Sequence, residues 1–225
     1  MKKRLTLSAL TVIITILLSL GTVAAASKET KKINDATEVM EAISAIPEKG
    51  IPTSLLAKAR GIAVMPGVIK LGFVVGGRYG KGVMAVRRNK GWTDPVFLTM
   101  GGASVGYQIG AQSTDIILVF MSKKSVDGII SGKVTLGVDA SVAAGPVGRH
   151  AEASTDILLK SEIYSYSRSR GLFAGFSFEG GVLQIDDQAD EKFYGSKDIT
   201  PEDIFAGKIR SVPASAKKFK RSLSK

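Results

Sequence analysis

Residues 171–181 read GLFAGFSFEGG, which puts four glycines and three phenylalanines into eleven positions. Glycine within a strand marks a bulge, a tight bend or a close approach of two backbones. An aromatic ring beside it covers the gap left by the missing side chain. A chain with this pattern is either a loop on which something docks, or sheet bent so sharply that only glycine fits.

The pattern occurs twice, which favours sheet. GFVVGGRYGKGVMAV (72–86) aligns without gaps on GLFAGFSFEGGVLQI (171–185), so that Gly72, Gly76, Gly82 and Val83 fall on Gly171, Gly175, Gly181 and Val182, and Tyr79 falls on Phe178. A weaker echo pairs LTMGGASV (98–105) with VTLGVDASV (134–142), with one residue inserted. Both long segments read as strongly bent hairpins of one closed or nearly closed antiparallel sheet. From Ile62 the runs IAVM, VIKLGFVV, VMAVRR and WTDPVFLTM read as strands, separated by turns at Pro66-Gly67, GGRYGKG and NKG. VGYQIGAQ, DIILVF and LKSEIYSYS continue the series, the last placing Ile163, Tyr164 and Tyr166 in a strand.

Helices are expected at both chain ends. NDATEVMEAISAI places Val39, Met40, Ile43 and Ile46 on one face, with Asp35 and Glu38 as a capping pair and residues 27–33 frayed before it. IPTSLLAKARG follows as a short helix. KKSVDGIISG is a helix between strands with Ser122 as its cap, Thr200-Pro201 opens another, and VPASAKKFKRSLSK closes the chain. The fold class is therefore α+β, a glycine-rich curved sheet flanked by terminal helices.

The first 26 residues have the layout of a secretory signal: Lys2, Lys3 and Arg4, an apolar run, then Ala24-Ala25-Ala26 before Ser27. The other reading is a retained anchor. The expectation is one domain over 27–225, exported to the periplasm or medium. With no cysteine in the chain, its stability rests on an apolar core. The net charge is +11, of which the leader supplies three, leaving +8. That excess points to an anionic partner, and export disfavours nucleic acid.

Catalytic motifs are thin. His150 is the sole histidine, which excludes multi-histidine zinc sites. Gly102-Ala103-Ser104-Val105-Gly106 fits a nucleophile-elbow pattern, but strand-like sequence follows it where a helix is required. Gly80-Lys81 lacks the flanking residues of a phosphate loop, because Val75 and Gly82 stand where glycine and Ser/Thr are needed. Asp186, Asp187, Asp190 and Glu191 read as a solvated turn rather than a cation loop. No enzyme, cofactor or metal is expected.

Basic residues carry the functional reading. Val212, Ala216, Phe219 and Leu223 form an apolar stripe on the last helix, flanked by Lys217, Lys218, Lys220 and Arg221. Such a helix lies on a membrane or docks on the core. Lys58 and Arg60 follow the second helix, and Arg78, Lys81, Arg87 and Arg88 lie on two successive turns.

KARGIAVMPGVIKLGFVVGGRYGKGV, GPVGR (145–149), IYSYSRSRGLFAGFSFEGGVL and FYG (193–195) together resemble the SYLF domain family, in order, over nearly all of 33–225. The resemblance implies a non-enzymatic module that binds phosphoinositide-like anionic lipid, with eukaryotic members also binding actin. It implies membrane contact through an amphipathic N-terminal helix and basic residues. Here that helix, 34–46, carries Glu38 and Glu41 and no lysine. For an exported bacterial member actin is not expected, and the protein partner is open. The expected ligand is anionic phospholipid, bound through the eleven residues Lys58, Arg60, Arg78, Lys81, Arg87, Arg88 and Lys217 to Arg221. The alternative is a partner-binding envelope protein without lipid contact.

Overall fold

A computed structural model describes residues 28–46, 50–72, 75–89, 91–105, 110–147, 161–169, 172–175 and 180–224. The expected signal segment, His150 and Phe178 lie outside these residues.

Helix α1 covers 28–44. Ile33, Ala36, Val39, Met40 and Ile43 are all buried in one stripe. The expected frayed start is instead helical, because Ile33 anchors it, and Asp35 is not a cap but pairs with Lys31 at 2.8 Å one turn earlier. Helix α2 (Thr53–Lys58) leads into the strands β1 (Gly61–Gly72), β2 (Val75–Arg88), β3 (Gly91–Trp92), β4 (Val96–Val105) and β5 (Gly110–Phe120). Helix α3 (Lys123–Ile130) follows, then β6 (Lys133–Thr135), β7 (Val142–Ala144), β8 (Ile163–Ser169), β9 (Leu172–Gly175) and β10 (Gly181–Ile185). The chain closes with α4 (Asp187–Tyr194), α5 (Pro201–Ala206) and α6 (Ala214–Ser222). The side chains of Ser122 and Thr200 cap α3 and α5 as expected, accepting from the Ser125 and Asp203 amides.

The main path through the sheet runs β6-β10-β4-β2-β1-β5-β8-β7, with β3 on β2 and β9 on β8. Strong curvature follows from this order. β10 and β9 lie six strand steps apart, about 29 Å in a flat sheet at ~4.8 Å per step. The chain from Gly175 to Gly181 spans at most about 21 Å. The sheet must therefore curl into a half-barrel.

Two expected turns are strand. Pro66-Gly67 is a bulge inside β1, where the register to β2 shifts between Val64 and Ile69 and Gly67 takes φ 64°. GGRYGKG lies within β2, which reverses from β1 between the paired Gly72 and Gly76. Its glycines answer to close approach rather than turning: a Cβ on Gly82 would run into the Val64 carbonyl oxygen and Met65. The second glycine segment is not a hairpin either, because β9 pairs with β8 and β10 with β4. Gly175 is packed against the Gly145 carbonyl, with no room for a side chain.

Side chains from the two faces form two cores. One joins Val64, Val83, Val119 and Tyr166 to α1, α2, α4 and α6. The other joins Met65, Met84, Leu98 and Phe120 to α3 and α5.

Candidate functional site

The strands give the molecule two unlike ends. At one end β1 starts, β2 and β5 finish, and helices α2, α3, α5 and α6 gather. At the other lie the β1–β2 reversal, the Gly72, Gly76 and Gly77 segment, and the last residues of β8.

At the helical end the strand register sets Arg60 beside Arg87, whose amide donates to the Arg60 carbonyl at 2.8 Å. Arg87 is committed to structure. Its Nε and Nη2 donate to the Ala59 and Leu56 carbonyls at 3.0 and 2.9 Å, closing the end of α2, and its guanidinium stacks 4.3 Å from the Trp92 ring centroid. Burial draws its pKa down from the ordinary arginine value. A cleft of about 1060 Å³ opens here, bordered by Arg60, Arg87, Arg88, Lys123 and Lys220. Lys220 is half-buried and donates to Asp94 Oδ1 at 2.8 Å.

Helix α6 meets the core. Phe219 is fully buried with Ala216 and Leu223, and Trp92 Nε1 donates to the Leu223 carbonyl at 3.0 Å. Phe219 is therefore not a lipid-facing residue in this packing. Its ring fills the space between α6 and the core that holds Trp92, Phe97 and Phe193. Lys217, Lys218 and Arg221 stay exposed on the outer face of α6, as do Lys58 and Arg60 on and after α2.

Arg78 and Lys81 belong toward the opposite end, so the four basic residues of β2 do not form one patch. Arg78 pairs in register with Lys70. Lys81 donates to Asp186 Oδ2 at 2.6 Å, a hydrogen bond that raises its pKa. Asp186 also caps α4, and Asp190 accepts from the Phe97 amide at 2.9 Å. The acidic segment is therefore not the expected solvated turn: it opens helix α4, with Asp186 as its cap and Asp190 fully buried. Ser104 sits within β4, opposite Gly76, in an extended context without an elbow.

Beyond the bulge, the face of β1 and β2 that α1 covers elsewhere runs out from under the helix. Ile69 (47% exposed), Leu71 (56%) and Tyr79 (55%) stand open there, with Ile69 paired directly to Tyr79. Lys81 projects from the same face, and the Lys70–Arg78 pair from the other. Leu172, 66% exposed, lies on β9 at the same end. The sequence pattern marks these residues as strand but not as uncovered. The missing signal is the bulge, which changes the alternation, and the place where α1 stops covering the sheet.

Residues 101–225 match the family Ysc84, described as "Las17-binding protein actin regulator". The SH3 domain-containing YSC84-like protein 1 of Xenopus laevis is 38% identical over 165 residues, covering 72% of this chain and 49% of the relative. Protein YSC84 of Saccharomyces cerevisiae is 38% identical over 168 residues, covering 73% and 36%. The YSC84-like protein 1 of Bos taurus is 35% identical over 193 residues, covering 85% and 55%. The chain spans about half the length of these relatives, or less.

Proposed function

Because the chain belongs to the Ysc84 (SYLF) family, we propose that it is a non-enzymatic, exported protein that binds anionic phospholipid at a membrane surface, through the glycine-rich end of its sheet. One observation carries this reading. Ile69, Leu71 and Tyr79 are large, apolar and exposed side by side, with Lys81 on the same face and Lys70 and Arg78 at the same end of the sheet on the other face. Exposed apolar groups with a basic rim suit the boundary between head groups and acyl chains. The amphipathic helices are poorer candidates, because the apolar stripes of α1 and α6 are buried in the core. Full burial of an Ile, Leu or Tyr side chain contributes roughly 1.5–3 kcal/mol. A basic residue at an anionic surface adds about 1 kcal/mol, weakened by salt.

The test is flotation with vesicles of phosphatidylcholine alone or mixed with phosphatidylglycerol. The protein is expected to float with the anionic vesicles only, and less as salt rises. Changing Ile69, Leu71 and Tyr79 together to Ser should weaken binding at least tenfold without lowering the melting temperature, since all three are exposed. Changing Lys217, Lys218 and Arg221 to Gln, at the far end, should alter binding little. Equal binding to both vesicles, or to neither, would replace this reading by the partner-binding alternative.

A further inference from the structure

The cleft at the helical end is left unused by a membrane contact at the other. Its walls carry an excess of cations: Lys220 pairs with Asp94 at 2.8 Å and Lys123 with Asp127 at 3.8 Å, which leaves Arg60, Arg87 and Arg88 without a carboxylate among the described residues. Like charges set side by side oppose folding, and Arg60, just before β1, is held beside Arg87 of β2 by the 2.8 Å bond between their backbones. Arg87 has its guanidinium tied to α2. Arg60 and Arg88 are exposed, and neither side chain is in an ion pair or hydrogen bond among the described residues. The cleft also has an apolar part: half-buried Ile130 of α3 is open to it, with Val126, Ile204 and Phe205 almost wholly buried behind.

We propose that this cleft binds an acidic peptide segment of a protein partner. Its carboxylates would be held by Arg60 and Arg88, and an apolar side chain would rest on Ile130. Charge complementarity selects an anion, since guanidinium forks match carboxylates. The apolar wall calls for a ligand with an apolar part, which inorganic phosphate lacks. The volume, about 1060 Å³, is at the upper limit of small-molecule sites. Asp94 and Asp127 within the walls disfavour a compact polyanion and suit a chain whose charges are spread out. The proposal does not rest on the membrane reading.

Fluorescence anisotropy of a labelled peptide, glutamates around one phenylalanine, tests it on the full chain. A peptide with lysines in place of the glutamates is the control. The acidic peptide is expected to bind and the control not. Arg60→Glu with Arg88→Glu should weaken binding at least tenfold while leaving the melting temperature in place, because both side chains are exposed. The Ile69, Leu71 and Tyr79 variant should bind the peptide as the unaltered protein does. Undiminished peptide binding by the arginine variant would overturn the proposal. So would complete displacement of the peptide by millimolar inorganic phosphate, which would make this a small-anion site. Loss of vesicle binding in the arginine variant, with no peptide binding by the unaltered protein, would assign the cleft to lipid and likewise overturn it.

Discussion

The two ends of the sheet are held together in opposite ways. Toward the glycine-rich end, strands meet because side chains are missing: Gly102 lies against the Gly180 carbonyl and Gly80 against Val68, and the same holds at mid-sheet, where Gly82 meets the Val64 carbonyl and Gly175 the Gly145 carbonyl. At the helical end, elements meet because large side chains are present, with Phe219 of α6 and Trp92 beside Arg87 in one core. A surface built on glycine leaves its few large side chains, Ile69, Leu71 and Tyr79, without cover. A surface built on helices buries its apolar groups and leaves cations around a cleft. The difference teaches that one fold can offer an apolar contact at one end and a charged one at the other.

The strongest test of this contrast is Gly175→Val. The backbone there avoids positive φ, so the obstacle is the Gly145 carbonyl, which cannot move aside as a flexible side chain could. We expect destabilisation of 3 kcal/mol or more, about the upper range for overpacking, or no folded protein. Gly101→Ala is the control, because nothing lies within 4 Å of its added methyl, and urea titration should find it within ~0.5 kcal/mol of the parent. Equal tolerance at both positions would break the account of glycine as the residue that lets backbones of this sheet approach closely.

Phe219→Ala probes the other end. Loss of a fully buried ring should cost about 3–5 kcal/mol and lower the melting temperature, with vesicle binding by the remaining folded protein unchanged. A variant that keeps its melting temperature and loses vesicle binding would instead place α6 on the membrane.

A smaller effect sharpens the contrast by pH. Asp190 of α4 is fully buried against the middle of the sheet, accepting from the Phe97 amide, and burial pushes its carboxyl up to about 8. Between the unfolded value of ~3.9 and the folded one, the folded state holds a proton that the unfolded state releases. Stability from this group is therefore present at low pH and falls as pH rises through that window, by at most about 1.4 kcal/mol per unit. Asp190→Asn keeps the acceptor for Phe97 and removes the titration. Its melting temperature should vary less between pH 5 and 8 than that of the parent, whereas parallel curves would show that Asp190 is ionised in the fold.

Local rules made much of this fold legible. The caps at Ser122 and Thr200 followed from side chains two to three residues from the amides they accept. The stripes of α1 and α6 followed from spacing, and bent sheet followed from repeated glycine. The turns at Pro66-Gly67 and GGRYGKG were misplaced because a proline–glycine pair and a glycine run serve a bulge or a tight strand crossing as readily as a turn. Only the neighbouring strand distinguishes them. Of the basic residues, the sequence listed Arg60, Arg87, Arg88 and Lys220 without showing that they share a cleft with Lys123, or that Arg78 and Lys81 lie elsewhere.

The sequence by itself determined the class of fold, the two apolar helix faces, the excess of positive charge and the kinship to a family. These depend on composition, on periodicity, or on long motifs in order. Tertiary structure alone decided which apolar face is buried, which glycines are indispensable and which cations converge. Each of those depends on residues far apart in the chain coming together: Gly175 with Gly145, Trp92 with Leu223, Lys220 with Asp94. The amphipathic pattern of α6 suits a core and a membrane equally well, because both are apolar. What settles it is that the fold supplies Phe219 with an apolar place of its own.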